Sequence, residues 1–126
     1  MIQITSQNAP RPAGAYSQAV AFGDLVFVSG QVPREAETRL IPDGIEAQTQ
    51  LVIQNLQAIL LAADASLKDI VKVTVHLADL AMFEQFDRTY RGYFSEPFPA
   101  RTTVGSQLRG VLVEIDAIAL RMVRND

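Results

Sequence analysis

Three charged residues, Arg101, Glu114 and Asp116, lie near the two ends of the segment PFPARTTVGSQLRGVLVEID at residues 97–116. The planar guanidinium of an arginine can hold a carboxylate through two parallel N–H···O bonds, which the ammonium group of a lysine cannot reproduce. A glutamate on the same face can accept a proton from a water molecule. These residue types suit a site that binds a small acid and attacks it with water, although a cross-strand ion pair between Arg101 and Asp116 is the more ordinary arrangement of such charges.

A predicted β-hairpin positions these residues. The β-branched residues after Arg101 predict one strand, the apolar run around Glu114 predicts a second, and glycines between them predict a turn. With the loop centred near residues 108 and 109, Arg101 lies opposite Asp116 and Thr103 lies opposite Glu114. Because side chains alternate along a strand, all four are predicted on one face of the hairpin.

The other strands are predicted from runs of apolar residues. Residues 2–4, 18–22 and 25–29 have strand character, with Gly23-Asp24 as a tight turn between the last two. Residues 25–28 are apolar at every position, which predicts that both faces of this strand are covered. Residues 70–77 alternate between apolar and polar side chains and predict a further strand.

Two stretches have the periodicity of a helix. Apolar residues recur at helical spacing over residues 45–63, with Asp43 as the predicted N-cap, and over residues 83–93, with Asp79 as the predicted N-cap. The order of elements predicts an α+β fold, one domain over residues 1–126, in which both helices cover one face of the sheet.

Composition excludes several classes of protein and site. The chain has 126 residues, 48% hydrophobic and 20% charged, as expected for one soluble domain. It has no cysteine, which excludes disulfides and thiolate sites, and its single histidine, His76, excludes a multi-histidine metal site. Its eleven basic residues are scattered and its net charge is −3, so we expect no nucleic-acid partner. Without a secretory signal or a membrane-length apolar run, a cytoplasmic protein is expected.

Six separated blocks of the sequence resemble one known family in the same order. They are GAYSQAV at 14–20, VSGQVP at 28–33, AQTQLVIQNLQAIL at 47–60, DIVKVTVHLADL at 69–80, PFPARTT at 97–103 and VEIDAIA at 113–119. The family is the Rid family of reactive-intermediate or imine deaminases, also called the YjgF or L-PSP family. The resemblance implies a chorismate-mutase-like fold with a mixed sheet, a homotrimer with sites in the clefts between subunits, and neither metal nor cofactor.

The same resemblance assigns roles to individual residues. Arg101 stands where the family arginine binds the substrate carboxylate, and Glu114 where a glutamate orients the attacking water. Tyr16 matches a tyrosine that shapes and polarises the site. Ser29 and Gly30 match the segment whose hydroxyl and backbone N–H groups face the ligand. Taken alone, Tyr16 is also typical of an amphipathic plug, and a Ser-Gly pair at a strand end is also typical of a turn.

Two positions depart from the family pattern. Asp87 replaces an asparagine that many Rid deaminases carry on the second helix, and Thr103 replaces a cysteine. A carboxylate near a site for an anion should repel it. Asp87 is therefore expected either to be neutralised by Arg88, Arg91 or a proton, or to accept a donor or positive charge from the substrate. His76 is expected to be a surface or interface residue.

The resemblance implies hydrolysis of reactive 2-imino acids, such as 2-iminopropanoate and 2-iminobutanoate, to 2-keto acids and ammonia. Arg101 would hold the carboxylate and place the imine carbon beside a water that Glu114 activates. Two alternatives stay open: deamination of another enamine or imine, such as an aminomuconate-like compound, and non-catalytic binding of small carboxylates by a metabolic sensor. Endoribonuclease activity, also reported for the family, is disfavoured by the acidic charge and the lack of a histidine pair.

Overall fold

A computed structural model describes residues 1–122 of the chain. It contains six strands and two α-helices: β1 (Ile2–Ile4), β2 (Ala19–Phe22), β3 (Leu25–Gln31), α1 (Ile45–Ala62), β4 (Ile70–Leu77), α2 (Phe83–Arg91), β5 (Ala100–Gly105) and β6 (Val113–Leu120). Neither of these two helices is both long and apolar enough to cross a membrane.

The strands form one six-stranded sheet in the order β1-β2-β3-β6-β4-β5. Neighbouring strands are antiparallel except β4 and β5, which are parallel. Both helices pack on one face of this mixed sheet, hereafter the helix face; the opposite face is the open face. The predicted α+β architecture is therefore confirmed.

Strand β4 shows how the sequence builds the two faces. Val73, Val75 and Leu77 are fully buried on the helix face, whereas the residues that alternate with them, Lys72, Thr74 and His76, are half-buried on the open face. This alternation follows directly from the period of two along a strand. The helix face is completed by buried residues of α1, namely Val52, Ile53, Leu56, Ile59 and Leu60.

The predicted pairing of residues 97–105 with residues 111–116 is wrong. Strand β4 lies between β5 and β6, pairing in parallel with β5 and antiparallel with β6. Arg101 is therefore in register with Val73 and, across β4, with Ala117. The prediction fails because two strands that follow one another in sequence need not pair in the sheet. Here β4, which comes earlier in the chain, lies between them.

This change of neighbour moves the predicted site residues to opposite faces. Arg101 and Thr103 align with the buried residues of β4 and lie on the helix face. Glu114 and Asp116 align with His76 and Thr74 and lie on the open face. The shift is equivalent to a one-residue slip, which transfers every side chain of a strand to the other face.

The helix starts agree in part with the predicted caps. Gly44, not Asp43, is the N-cap of α1; its φ of 89° lies in the left-handed region that glycine adopts readily. Asp79 does cap its helical segment, since its side chain accepts a hydrogen bond of 2.9 Å from the Ala81 N–H. This cap opens a short 3₁₀ turn that leads into α2.

The open face carries exposed apolar side chains. Phe22 is 71% exposed, Phe27 40% and Leu120 45%, all on adjacent strands. The apolar run 25–28 of β3 predicts cover on both sides, but within one chain only Val26 and Val28 of these four residues, both on the helix face, are buried.

Candidate active site

Arg101 lies in a cleft at the edge of the sheet, where β5 faces α2. This Arg101 cleft has a volume of about 330 Å³ and is lined by Asp87, Tyr90, Arg91, Phe98, Pro99 and Arg101. The Arg101 guanidinium carbon lies 4.8 Å from the centroid of the Tyr90 ring and 5.5 Å from that of Phe83. Aromatic faces attract a guanidinium and limit its motion, so Arg101 is held in one orientation.

Asp87 joins two arginines at this cleft. Its Oδ1 accepts a hydrogen bond of 2.8 Å from Arg101, and its Oδ2 accepts one of 2.9 Å from Arg91. The predicted ion pair of Arg101 with Asp116 is therefore replaced by a pair with Asp87. Burial disfavours the charged carboxylate, but the hydrogen bonds of Arg101 and Arg91 outweigh it and hold the pKa of Asp87 below its ordinary value. The structure agrees with one of the two expectations for Asp87, because neighbouring arginines neutralise its charge.

Tyr90 lines the same cleft, although it was not among the predicted site residues. It is almost completely buried, and its hydroxyl has no hydrogen-bond partner among residues 1–122. Burial raises the pKa of Tyr90 to about 12. The three-residue spacing from Asp87 to Tyr90 was the available signal, because residues i and i+3 share a helix face.

Glu114 lies in a second cleft, on the open face. This Glu114 cleft has a volume of about 530 Å³ and is lined by residues that include Tyr16, Phe27, Ser29, Gly30, Glu114 and Asp116. The Glu114 carboxylate lies so close above Gly30 that a Cβ at that position would collide with it. Position 30 must therefore be glycine for Glu114 to keep this position. A turn alone would not impose this requirement.

The hydroxyl groups at the Glu114 cleft are partly committed to the backbone. The Ser29 hydroxyl donates to the Ser17 carbonyl at 2.6 Å, and the half-exposed Tyr16 hydroxyl accepts from the Ala13 N–H at 3.0 Å. Ser29 therefore retains acceptor capacity, whereas Tyr16 retains its proton for a ligand.

The predicted site residues thus form two groups. Asp87 lies with Arg101, and Thr103 follows two residues along the same strand on the same face. Tyr16, Ser29 and Gly30 lie with Glu114. Within one chain the structure does not bring Arg101 and Glu114 together.

His76 has a partner that the sequence did not indicate. Its Nδ1 lies 2.7 Å from the Ser106 hydroxyl, and it stands directly opposite Glu114 across β4 and β6. Ser106 follows β5, which runs parallel to β4, so both residues reach the same end of the sheet. The available signal was that His76 and Ser106 each lie near the carboxyl end of a strand.

Comparison with known proteins places this geometry in a family. The family model described as Endoribonuclease L-PSP matches residues 6–121. A RutC family protein of Pyrococcus abyssi is 48% identical over 121 residues, covering 94% of this chain and 95% of the relative. The 2-iminobutanoate/2-iminopropanoate deaminase of Salmonella typhimurium is 38% identical over 123 residues, covering 94% of this chain and 96% of the relative.

Among solved structures, Escherichia coli TdcF with bound serine superposes with a TM-score of 0.91 at 37% identity. The match covers 97% of this chain and 100% of TdcF. Sequence and fold agree over nearly the whole length, and the chain therefore belongs to the Endoribonuclease L-PSP family, the Rid or YjgF family that its sequence blocks resemble.

Proposed function

We propose that this protein is a cofactor-independent deaminase that hydrolyses reactive 2-imino acids, such as 2-iminopropanoate and 2-iminobutanoate, to 2-keto acids and ammonia. The observation that carries the proposal is the pair of clefts: one presents a restrained arginine and the other a carboxylate beside open space. The relative named a 2-iminobutanoate/2-iminopropanoate deaminase supports the reaction class.

The chemistry requires only positioning and proton transfer. Arg101 binds the substrate carboxylate through the donors that Asp87 does not use. A water molecule adds its oxygen to the imine carbon, and Glu114 takes one of its protons. That proton passes to the nitrogen and gives an amino alcohol. Glu114 then transfers the proton of the new hydroxyl group to the amino group, the C–N bond breaks as the carbonyl forms, and ammonia leaves.

The proposed assembly is a homotrimer with active sites between chains. Arg101 and Glu114 open on different faces of one sheet, and β5, which carries Arg101, is an edge strand. A second chain docked at this edge would bring its own Glu114 cleft to Arg101 and cover the exposed apolar open face. Assembly would thereby complete both the site and the hydrophobic contacts.

The decisive experiment supplies the imine in solution and measures its hydrolysis. A pyridoxal-phosphate dehydratase generates 2-iminopropanoate from serine and 2-iminobutanoate from threonine, and keto-acid release is followed with and without the protein. Acceleration that disappears in Glu114→Gln, with pyruvate binding retained, is the expected result. No acceleration over buffer would favour the non-catalytic binder of small carboxylates.

A further inference from the structure

A second concentration of positive charge lies beside the Glu114 cleft. Arg11, Arg34 and Arg39 line a cavity of about 50 Å³ together with Tyr16 and Gly30. Tyr16 and Gly30 also line the Glu114 cleft, so the two spaces adjoin at these residues. We call the smaller space the arginine cavity.

None of the three arginines forms a salt bridge within the described part of the chain. The salt bridges among residues 1–122 are those of Arg91 and Arg101 to Asp87, and none involves the arginine cavity. The nearby Glu35 carboxylate instead accepts a hydrogen bond of 2.8 Å from the Thr38 hydroxyl. In a protein of net charge −3 with eleven basic residues, three arginines that line one small cavity form a local concentration of positive charge suited to an anion.

Buried amides hold the backbone segments that carry Arg11 and Arg34. The Asn55 side chain donates to the carbonyls of Val32 and Arg34 at 3.0 Å each. The Gln18 side chain donates to the Pro10 carbonyl, next to Arg11, at 2.8 Å. Asn55 and Gln18 are 3% and 4% exposed, so both anchors belong to the packed interior and the cavity has a fixed frame.

Arg39 has an unusual backbone conformation. Its φ of 63° lies in the left-handed region, where a residue with a side chain is disfavoured relative to glycine. The fold therefore carries an arginine at a position better suited to glycine. Backbone strain of this kind is concentrated at ligand-binding sites, and here the strained residue is an arginine that lines the cavity.

We propose that the arginine cavity binds the second carboxylate of a 2-imino dicarboxylic acid, with the first carboxylate on Arg101 and the imine carbon beside Glu114. The inference rests on the proposed function and specifies its substrate class. A space of about 50 Å³ accommodates a group of a few heavy atoms, since one water needs roughly 10–15 Å³. Arginine forks match a carboxylate in geometry and charge. Arg101 cannot serve both carboxylates, because Asp87 already occupies part of its fork.

The first test measures binding and does not depend on turnover. The stable keto acids 2-oxoglutarate and pyruvate are titrated into the full-length protein by calorimetry. We expect 2-oxoglutarate to bind at least about tenfold more tightly, as for a charge-assisted hydrogen bond. Arg34→Gln and Arg39→Gly should each remove most of this difference, whereas Arg109→Gln, an exposed arginine that lines neither cleft nor cavity, should preserve it.

Arg39→Gly also separates binding from folding. Because glycine suits the backbone of residue 39, this variant is expected to melt no lower than the wild type, so its loss of diacid preference cannot be assigned to unfolding. Equal affinity of the wild type for the two keto acids, or an unchanged preference in both arginine variants, would overturn the proposal.

The second test measures selectivity in catalysis. Amino-acid oxidases generate 2-iminoglutarate from glutamate and 2-iminopropanoate from alanine, and hydrolysis is followed in competition with semicarbazide. The ratio of kcat/KM values should favour 2-iminoglutarate and fall about tenfold in Arg34→Gln. A ratio near one in the wild type overturns the dicarboxylate assignment but leaves the deaminase intact. Tight binding of 2-oxoglutarate without hydrolysis of either imine supports the cavity assignment and rejects the deaminase.

Discussion

Arg101 shares one carboxylate, that of Asp87, with Arg91. The arrangement keeps the Arg101 guanidinium against the faces of Phe83 and Tyr90 while leaving part of its fork unoccupied. A ligand carboxylate must therefore compete with Asp87 for the charge of Arg101. At the scale of single residues, the strength of anion binding depends on this competition.

Arg101→Lys should retain the fold and lose most activity, because a single ammonium replaces the bidentate fork. We expect the binding of the transition state to weaken by about 2–3 kcal/mol, which lowers kcat/KM for 2-iminopropanoate roughly 30- to 150-fold. Steady-state kinetics and circular dichroism measure the two effects. Full activity would remove Arg101 from substrate binding, and an unfolded variant would show that its pair with Asp87 is mainly structural.

Asp87→Asn should raise kcat/KM for 2-iminopropanoate, because the substrate carboxylate no longer competes with a second carboxylate. Repulsion of roughly 1 kcal/mol predicts an increase of about fivefold. For a substrate that donates to Asp87, the same change should lower kcat/KM. Identical values for 2-iminopropanoate in the two proteins from pH 6 to 8 would show that Asp87 does not affect the ligand.

The pH dependence of stability provides a separate test of the same carboxylate. Because the folded-state pKa of Asp87 is lowered below 3.8, its ionised form stabilises the fold above that pH, and this contribution is lost as the pH falls through the folded-state pKa. Between pH 5 and pH 3 the melting temperature should therefore fall more in the wild type than in Asp87→Asn. Equal decreases would mean that the two ion pairs do not stabilise the fold.

At the scale of elements, an irregularity in β3 positions Glu114. Val28 pairs with Ala117 and Gln31 with Ile115, so three steps along β3 match two along β6. The extra residue forms a bulge at Ser29 and Gly30, and bulges commonly redirect side chains beside active sites. Here the bulge brings Gly30 beneath the Glu114 carboxylate.

Gly30→Ala should disable the site without unfolding the protein. The new Cβ would collide with the end of the flexible Glu114 side chain, so the carboxylate must move. A displacement of about 1 Å can lower the rate on the order of 100-fold. Gly92→Ala, whose Cβ would lie 3.4 Å from the nearest atom, is the matched control and should leave kcat unchanged. Full activity of Gly30→Ala would show that this position of Glu114 is not needed.

At the scale of the whole molecule, the sheet separates Arg101 from Glu114 and leaves Phe22, Phe27 and Leu120 exposed on the open face. Both features are explained by the proposed assembly. An apolar patch that spans adjacent strands is typical of an interface between subunits.

Subunit mixing tests whether sites are shared. Arg101→Ala and Glu114→Gln should each be inactive alone. Co-assembly in equal amounts should restore roughly a quarter of wild-type activity, because random assembly pairs one intact Arg101 with one intact Glu114 in that fraction of sites. No recovery in mixed oligomers, or sedimentation of the wild type as a monomer at micromolar concentration, would reject the shared site.

The sequence by itself determined those features that depend on local pattern. The alternation in β4 predicted its bounds and the burial of Val73, Val75 and Leu77, but Val71, predicted on the same face, is 44% exposed because the register shifts between Ile70 and Lys72. Asp79 predicted a helical start, and the ordered blocks predicted the family. These predictions succeed because the period of two residues in a strand, or 3.6 in a helix, shows which side chains face the core, whichever residues form that core. Of the seven predicted site residues, two line the Arg101 cleft and four line the Glu114 cleft, and their roles stay predictions.

Only the tertiary structure decided which strands are neighbours. The insertion of β4 between β5 and β6 placed Arg101 and Glu114 on opposite faces and gave Arg101 its partner in Asp87. Pairing partners depend on contacts between distant segments, and local periodicity carries no record of them. The bulge at Gly30 and the arginine cavity arise in the same way, since each joins residues that only the folded sheet and its loops bring together.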